Sequence, residues 1–235
     1  MKITVFTSTH LRHRYLIKML AKNFDEVLYV SEKKPYIRSK KTQLAKKYFK
    51  KVEKAEKKFF RPVKLNQKKI KKISFKYNQI DFKRLLTTDI FVKSDFFLVY
   101  GSSLLKGNLL KYLINKKALN LHMGLLPYYR GTDCNFWAIH DGNINKVGAS
   151  LIYLSSKIDK GDIVKTFKPK KTYNKFYLSM SACKNAIDDL TNFLLKKRKI
   201  SPIKKVDKTK LFRFSSYKTF NDVAIKNYLN KKINF

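Results

Sequence analysis

Continuous apolar runs alternate with segments of helical periodicity through the first 120 residues, and this alternation is what most restricts the fold. The runs "KITVFT" (2–7), "EVLYVSE" (26–32), "KKISF" (71–75), "DFFLVYGSS" (95–103) and "ALNLHM" (118–123) are rich in β-branched and aromatic residues and predict strands. The fourth is apolar without interruption up to Tyr100 and Gly101, the pattern of a strand buried on both faces. Between the runs the apolar period changes to that of a helix. Leu11, Tyr15, Leu16, Met19 and Leu20 mark one helix in 10–23; Leu44, Tyr48, Val52, Ala55 and Phe59 mark a solvated amphipathic helix in 38–60. Segments 80–92 and 104–117 read as two more, the latter despite Gly107. Strands and helices in this order predict an α/β fold with a doubly wound, mostly parallel, Rossmann-like sheet. "GASLIYL" (148–154) and "DIVKTFK" (162–168) add two strands around "SSKIDKG", and 175–198 predicts a long helix. Residues 1–200 form one domain in this reading. Residues 201–235, which open on Ser201-Pro202 and hold a short helix that Asn221 can cap, are a short extension and not a second domain.

Such sheets hold their sites at the carboxyl ends of strands, where strand order reverses. The most informative end here is "NLHMGLLPYYRG" (120–131). Asn120 and His122 alternate, so on a strand they share a face while Leu119 and Leu121 turn into the core. A turn fixed by Pro127 and Gly131 follows, with Arg130 beside it. Some forty residues on, "IDKGD" sets Asp159 in a loop between two strands, where Gly161 frees the backbone. An amide donor, an imidazole and a carboxylate at one sheet rim can serve as hydrogen-bond donor, general acid/base and charge partner.

Composition narrows the partners. The formal charge of +38 invites a nucleic-acid reading, yet only eight of the 54 basic residues are Arg. A phosphate-reading surface uses Arg forks beside Lys point charges. The Lys excess arrives with many Asn, Ile, Phe and Tyr residues, the mixture that A/T-rich coding produces, so a nucleic acid is not the favoured partner. The field is real nonetheless and draws anionic ligands at low salt. Cys134 and Cys183 make neither a disulfide framework nor a zinc spacing. No signal peptide and no membrane-length apolar run is legible, so a cytoplasmic protein with no membrane partner and no metal is expected. Oligomeric state is not legible.

Taken together, the motifs resemble the folate-dependent formyltransferases, which include glycinamide ribonucleotide, methionyl-tRNA and amino-sugar formyltransferases. The resemblance rests on Asn120-x-His122, the turn "LLPYYRG", Asp159 in "IDKG", the upstream "DFFLVYGSSLL", and "NFWAIHDG" followed by "VGASLIYL". It is strong over roughly residues 90 to 170. It implies a sheet of the formyltransferase type, with 1–200 as the catalytic domain, and transfer of a formyl group from 10-formyltetrahydrofolate to a primary amine. Asn120, His122 and Asp159 then become the catalytic residues. Tyr100, Gly101, Ser102, Ser103, Leu104, Leu105 and Gly161 become folate-binding; Trp137 can line the cleft, although a lone Trp is more often core. The acceptor is expected to be a small, anionic amine such as a nucleotide-linked amino sugar. The loop "TSTHLRHRY", with His10, Arg12, His13 and Arg14, suits an anion at a strand-to-helix junction, and Arg130 and Gly131 complete the acceptor side. A methionyl-tRNA formyltransferase without the usual C-terminal domain, a glycinamide ribonucleotide formyltransferase-like enzyme and a non-catalytic folate- or nucleotide-binding relative are the alternatives. Met123-Gly124 after the histidine departs from the commoner family pattern.

Overall fold

The computed structural model describes residues 1–33, 42–61, 63–196 and 200–234. Nine strands and eight α-helices are present among them: β1 (Lys2–Ser8), α1 (Leu11–Asn23), β2 (Glu26–Lys33), α2 (Gln43–Phe60), β3 (Ile70–Lys76), α3 (Phe82–Leu86), α4 (Asp89–Val92), β4 (Phe96–Tyr100), α5 (Gly107–Asn115), β5 (Leu119–His122), β6 (Tyr129–Gly131), α6 (Cys134–His140), β7 (Ala149–Tyr153), β8 (Ile163–Phe167), α7 (Lys175–Lys196), β9 (Arg213–Ser215) and α8 (Asp222–Asn230). The parts of the expected helices that cover 38–41 and 197–198 lie outside the described residues.

Seven strands form one sheet in the order β3-β2-β1-β4-β5-β7-β8. β1 to β5 are parallel; β7 runs antiparallel to β5, and β8 antiparallel to β7. Winding turns one way from β1 to β2 and the other way from β1 to β4, which sets the topological switch between β1 and β4. Both faces of the sheet are covered. One carries α1, α2 and α7 over a large core that includes Leu16, Leu20, Tyr29, Leu121 and Ile187. The other carries α4 and α5 over Phe6, Phe91, Phe97 and Leu113.

Two expected helices come out shorter. Segment 80–92 splits into α3 and α4 because the hydroxyls of Thr87 and Thr88 both donate to the Arg84 carbonyl (2.9 and 3.2 Å), competing with the helical ladder. In segment 104–117 the helix begins only at Gly107, which leaves Ser102–Lys106 as loop. Residues 201–235 pack back onto the body: β9 pairs parallel with β6, and Ala224, Ile225 and Tyr228 of α8 enter the main core. Lys175 Nζ donates to the carbonyls of Tyr228, Leu229 and Lys231, a cation at the carboxyl end of α8. Among the described residues no helix is long and apolar enough to cross a membrane, and no group of His, Cys, Asp and Glu is placed to hold a metal ion.

Candidate active site

β5 is a four-residue strand between β4 and β7 whose Leu119 and Leu121 are buried in the core. Asn120 and His122 therefore share the opposite face. The hairpin between β7 and β8 folds back over that face and brings Asp159 to both. Asn120 Nδ2 donates to Asp159 Oδ1 at 3.3 Å, and His122 Nδ1 stands 3.4 Å from the same oxygen. Asp159 Oδ2 accepts from the backbone N–H of Gly131 at 2.9 Å. One carboxylate thus ties the β7–β8 hairpin to β5 and to the turn that follows it, with the His122 and Asp159 side chains only 6 % and 9 % exposed. His122 Nε2 lies 3.1 Å from the Tyr129 carbonyl. Both ring nitrogens face oxygen acceptors, an arrangement in which only a doubly protonated imidazole donates twice.

Tight backbone approaches hold this cluster. A Cβ on Gly124 would fall 2.5 Å from His122 Nε2 and 2.6 Å from Cys134 Cβ, so the glycine of the Met-Gly pair after the histidine answers a steric demand. Ser150 Oγ, on the buried centre of β7, donates to the Gly124 carbonyl (2.9 Å) and accepts from Leu126 N–H (3.0 Å), pinning the start of the turn; the Leu126–Pro127 peptide is cis. Gly161 acts differently from the expectation. Its φ lies outside the left-handed region, and what requires glycine is the Tyr153 carbonyl oxygen, 1.7 Å from where a Cβ would stand. The left-handed residue of this hairpin is Asp159 itself, at φ 50°.

A cavity of about 750 Å³ opens beside the cluster, lined by Leu104, Leu105, Lys106 and Leu110 on one side, Arg130 and Ile158 on another, and Leu211 and Phe214 from the C-terminal extension. Of the residues assigned to folate from the sequence, Leu104 and Leu105 stand on this wall. Tyr100, Gly101, Ser102, Ser103 and Gly161 are not among its lining residues. Tyr100 is buried with its hydroxyl 2.9 Å from Cys183 Sγ, and burial pushes that phenol well above its ordinary value. Gly101 (φ 64°) leaves room for His13, whose ring carbon would lie 2.5 Å from a Cβ there and whose imidazole stacks on Tyr100. The Ser103 N–H and hydroxyl both donate to the carboxylate of Glu32 at 2.6 Å, so this backbone donor is not open to a ligand.

The first loop behaves as scaffold. Arg12 donates to Glu56 on α2 through its backbone N–H and through Nη1 (3.0 Å). Burial is the largest influence and works against its charge, but Glu56 together with Tyr100, Cys183 and Asp133 holds the guanidinium above its ordinary value. Arg14 Nη2 donates to the Val63 carbonyl, and His10 is exposed near His13. Arg130 Nη2 donates to the Ile158 carbonyl at 2.9 Å while its guanidinium faces Phe214. Trp137 is buried beneath Arg213 and is not a lining residue of the cavity.

Several participants escaped the sequence reading. Glu32, buried at the carboxyl end of β2, locks the loop after β4; an acidic residue ending an apolar strand was the available signal. Ser150 inside "GASLIYL" was another. Leu211 and Phe214 gave none, because only the β6–β9 pairing brings them to the site.

Fold and site together define a doubly wound α/β protein in which Asn120 and His122 of β5, one strand from the switch point, meet Asp159 of the β7–β8 hairpin. The chain belongs to the formyl transferase family, whose model matches residues 1–172. It is 30 % identical over 128 residues to a methionyl-tRNA formyltransferase of Mycoplasmopsis pulmonis (strain UAB CTIP), a match covering 48 % of this chain and 42 % of that relative. Among solved structures it is similar to an N-formyltransferase from Helicobacter canadensis complexed with folinic acid and dTDP-3-aminofucose (TM-score 0.58, 13 % identity, 97 % of this chain and 79 % of that one). It is likewise similar to a 4-N formyltransferase from Francisella tularensis (TM-score 0.55, 21 % identity, 92 % and 76 %). At these identities the two structures speak to the fold.

Proposed function

We propose that the chain transfers the formyl group of 10-formyltetrahydrofolate to the primary amine of a small acceptor, an amino sugar carried on a nucleotide. The observation that carries this reading is the convergence of Asn120 and His122 on the single carboxylate of Asp159, whose chain neighbours Ile158 and Lys160 line a cavity of about 750 Å³. The amine nitrogen attacks the formyl carbon, forming a C–N bond and leaving negative charge on the formyl oxygen. The second proton on Asn120 Nδ2 is free to donate to that oxygen, and His122 can stabilise it as a cation; removing one such donor typically costs about 2.7–4 kcal/mol of barrier. Collapse breaks the bond to N10 of the folate, and the proton lost by the amine passes to that nitrogen, with Asp159 and His122 as the relay. Atoms and charge balance without metal or redox change.

Residues 1–200 carry the catalytic side chains in this reading, with 201–235 as an extension packed against them, and a cytoplasmic setting suits the two free, buried thiols of Cys134 and Cys183. The Helicobacter relative, solved with an amino-sugar nucleotide, supports the acceptor class by analogy. The Mycoplasmopsis relative, 30 % identical over 128 residues, keeps Met-tRNA as the second reading, although the match covers only 42 % of that relative. An anionic acceptor would compete with Glu56 for Arg12, so acceptor binding unchanged in an Arg12→Ala, Arg14→Ala variant removes that loop from the site. The test incubates the protein with 10-formyltetrahydrofolate and, separately, amino-sugar nucleotides, glycinamide ribonucleotide and Met-tRNA, and follows tetrahydrofolate release. Turnover with an amino sugar, abolished in His122→Ala, is the expected outcome. Turnover with Met-tRNA alone moves the assignment to the second reading.

A further inference from the structure

The C-terminal strap is built into the catalytic cluster through one ion pair. Arg213, the first residue of β9, grips Asp141 with two parallel bonds, Nε to Oδ2 at 2.9 Å and Nη2 to Oδ1 at 2.8 Å. Its guanidinium lies 4.4 Å over the Trp137 ring, and its backbone N–H donates to the Tyr128 carbonyl. Asp141 Oδ2 also accepts from the hydroxyl of Tyr129 at 3.2 Å, and Asn143 Nδ2 donates to that hydroxyl at 2.7 Å. Tyr129 is fully buried, and its other end, the carbonyl, is the acceptor facing His122 Nε2. Two residues on, Gly131 N–H holds Asp159. Ser215 closes the strap over this turn: its carbonyl accepts from Thr132 N–H at 3.0 Å, and it lies where any side chain at Gly131 would stand. The strand that orients both His122 and Asp159 is therefore clamped at the Tyr129 hydroxyl and along its backbone by residues 213–215.

We infer that Arg213 is a positioning residue for this site, acting through Asp141 and Tyr129 on the carbonyl that orients His122 and on the amide that orients Asp159. The inference rests on the catalytic reading above for its kinetic consequence, though not for its geometric one. Leu211 and Phe214 of the same strap face the cavity, so the strap serves both as clamp and as wall. Neither Lys nor Gln reproduces a planar two-bond grip on a carboxylate.

The test compares Arg213→Gln and Arg213→Lys with the wild type in three readouts: steady-state kinetics, the ring-nitrogen signals of His122 by NMR, and melting temperature. Misplacement of a reacting group by about 1 Å can cost on the order of a hundredfold. Arg213→Gln is expected to lower kcat by about ten- to a hundredfold, with KM for the amine within about twofold, and to move the His122 signals. Arg213→Lys is expected to restore part of kcat. Unmoved His122 signals and unchanged kcat beside a lowered melting temperature would make Arg213 merely structural and overturn the inference, as would loss of fold in both variants. If the wild type turns over no amine, the functional reading fails; the His122 signals then decide the clamp, supporting it if they move in Arg213→Gln and overturning it if they do not.

Discussion

Replacing Asp159 by Asn removes the charge at the centre of the cluster while leaving the backbone at ease, since Asn adopts the left-handed conformation of this position (φ 50°) readily. Asp159 presents two acceptor oxygens to three partners: Gly131 N–H at 2.9 Å, Asn120 Nδ2 at 3.3 Å and His122 Nδ1 at 3.4 Å. An amide offers one acceptor. If that oxygen stays with Gly131, its NH₂ meets the NH₂ of Asn120 and the ring nitrogen of His122, so the charge-assisted bond from Asn120 and the carboxylate's contact with the imidazole are lost. Hydrogen bonds to charged groups contribute about 1.5–3 kcal/mol each. If Asn120 swings away as a result, the transition state also forfeits a donor worth about 2.7–4 kcal/mol. The latter figure corresponds to a fall in kcat of about 10²–10³. The assay is tetrahydrofolate release at saturating acceptor, run beside the binding of tetrahydrofolate alone, which should hold within a few-fold because Asp159 does not line the cavity. A variant retaining kcat within about threefold of an active wild type would falsify the role given to this carboxylate.

Three further outcomes are expected. Gly124→Ala places a methyl 2.5 Å from His122 Nε2 and 2.6 Å from Cys134 Cβ; it should cost about 1–3 kcal/mol by chemical denaturation and reduce turnover more than tetrahydrofolate binding. Glu32→Gln exchanges a carboxylate that accepts from Ser103 N–H, Ser103 Oγ and Asn78 N–H for an amide with one acceptor, so the loop carrying Leu104 and Leu105 loosens and KM for the folate rises while kcat changes little. Asp141 is tuned by opposing forces: burial raises its carboxyl, but Arg213 and His140 outweigh burial and leave it below the ordinary Asp value of about 3.9. A depressed folded value means that its stabilisation is present above about pH 4 and is lost as pH falls through the lower folded value. Melting temperatures between pH 6 and pH 2.5 should drop more steeply for the wild type than for Arg213→Gln, and parallel curves would refute the assignment.

What the sequence determined by itself is local and periodic. Alternation between apolar runs and helical stripes fixes β1, α1, β2, β4 and β5, because a strand buried on both faces and an amphipathic helix each write their period into consecutive residues. Asn120 and His122 share a face for the same reason, and Asn221 caps α8 with its side chain on Ala224 N–H. The splitting of 80–92 depends on where two threonine hydroxyls turn, which no period records. Only the tertiary structure decided what surrounds the histidine. The β7–β8 hairpin carries Asp159 back across β5, Glu32 locks the loop after β4 from 71 residues away, and Arg213 grips Asp141 across 72. Contacts at such separations form because sheet order and strap pairing bring chain segments together in space, and neither the spacing nor the composition of any one segment encodes its distant partner.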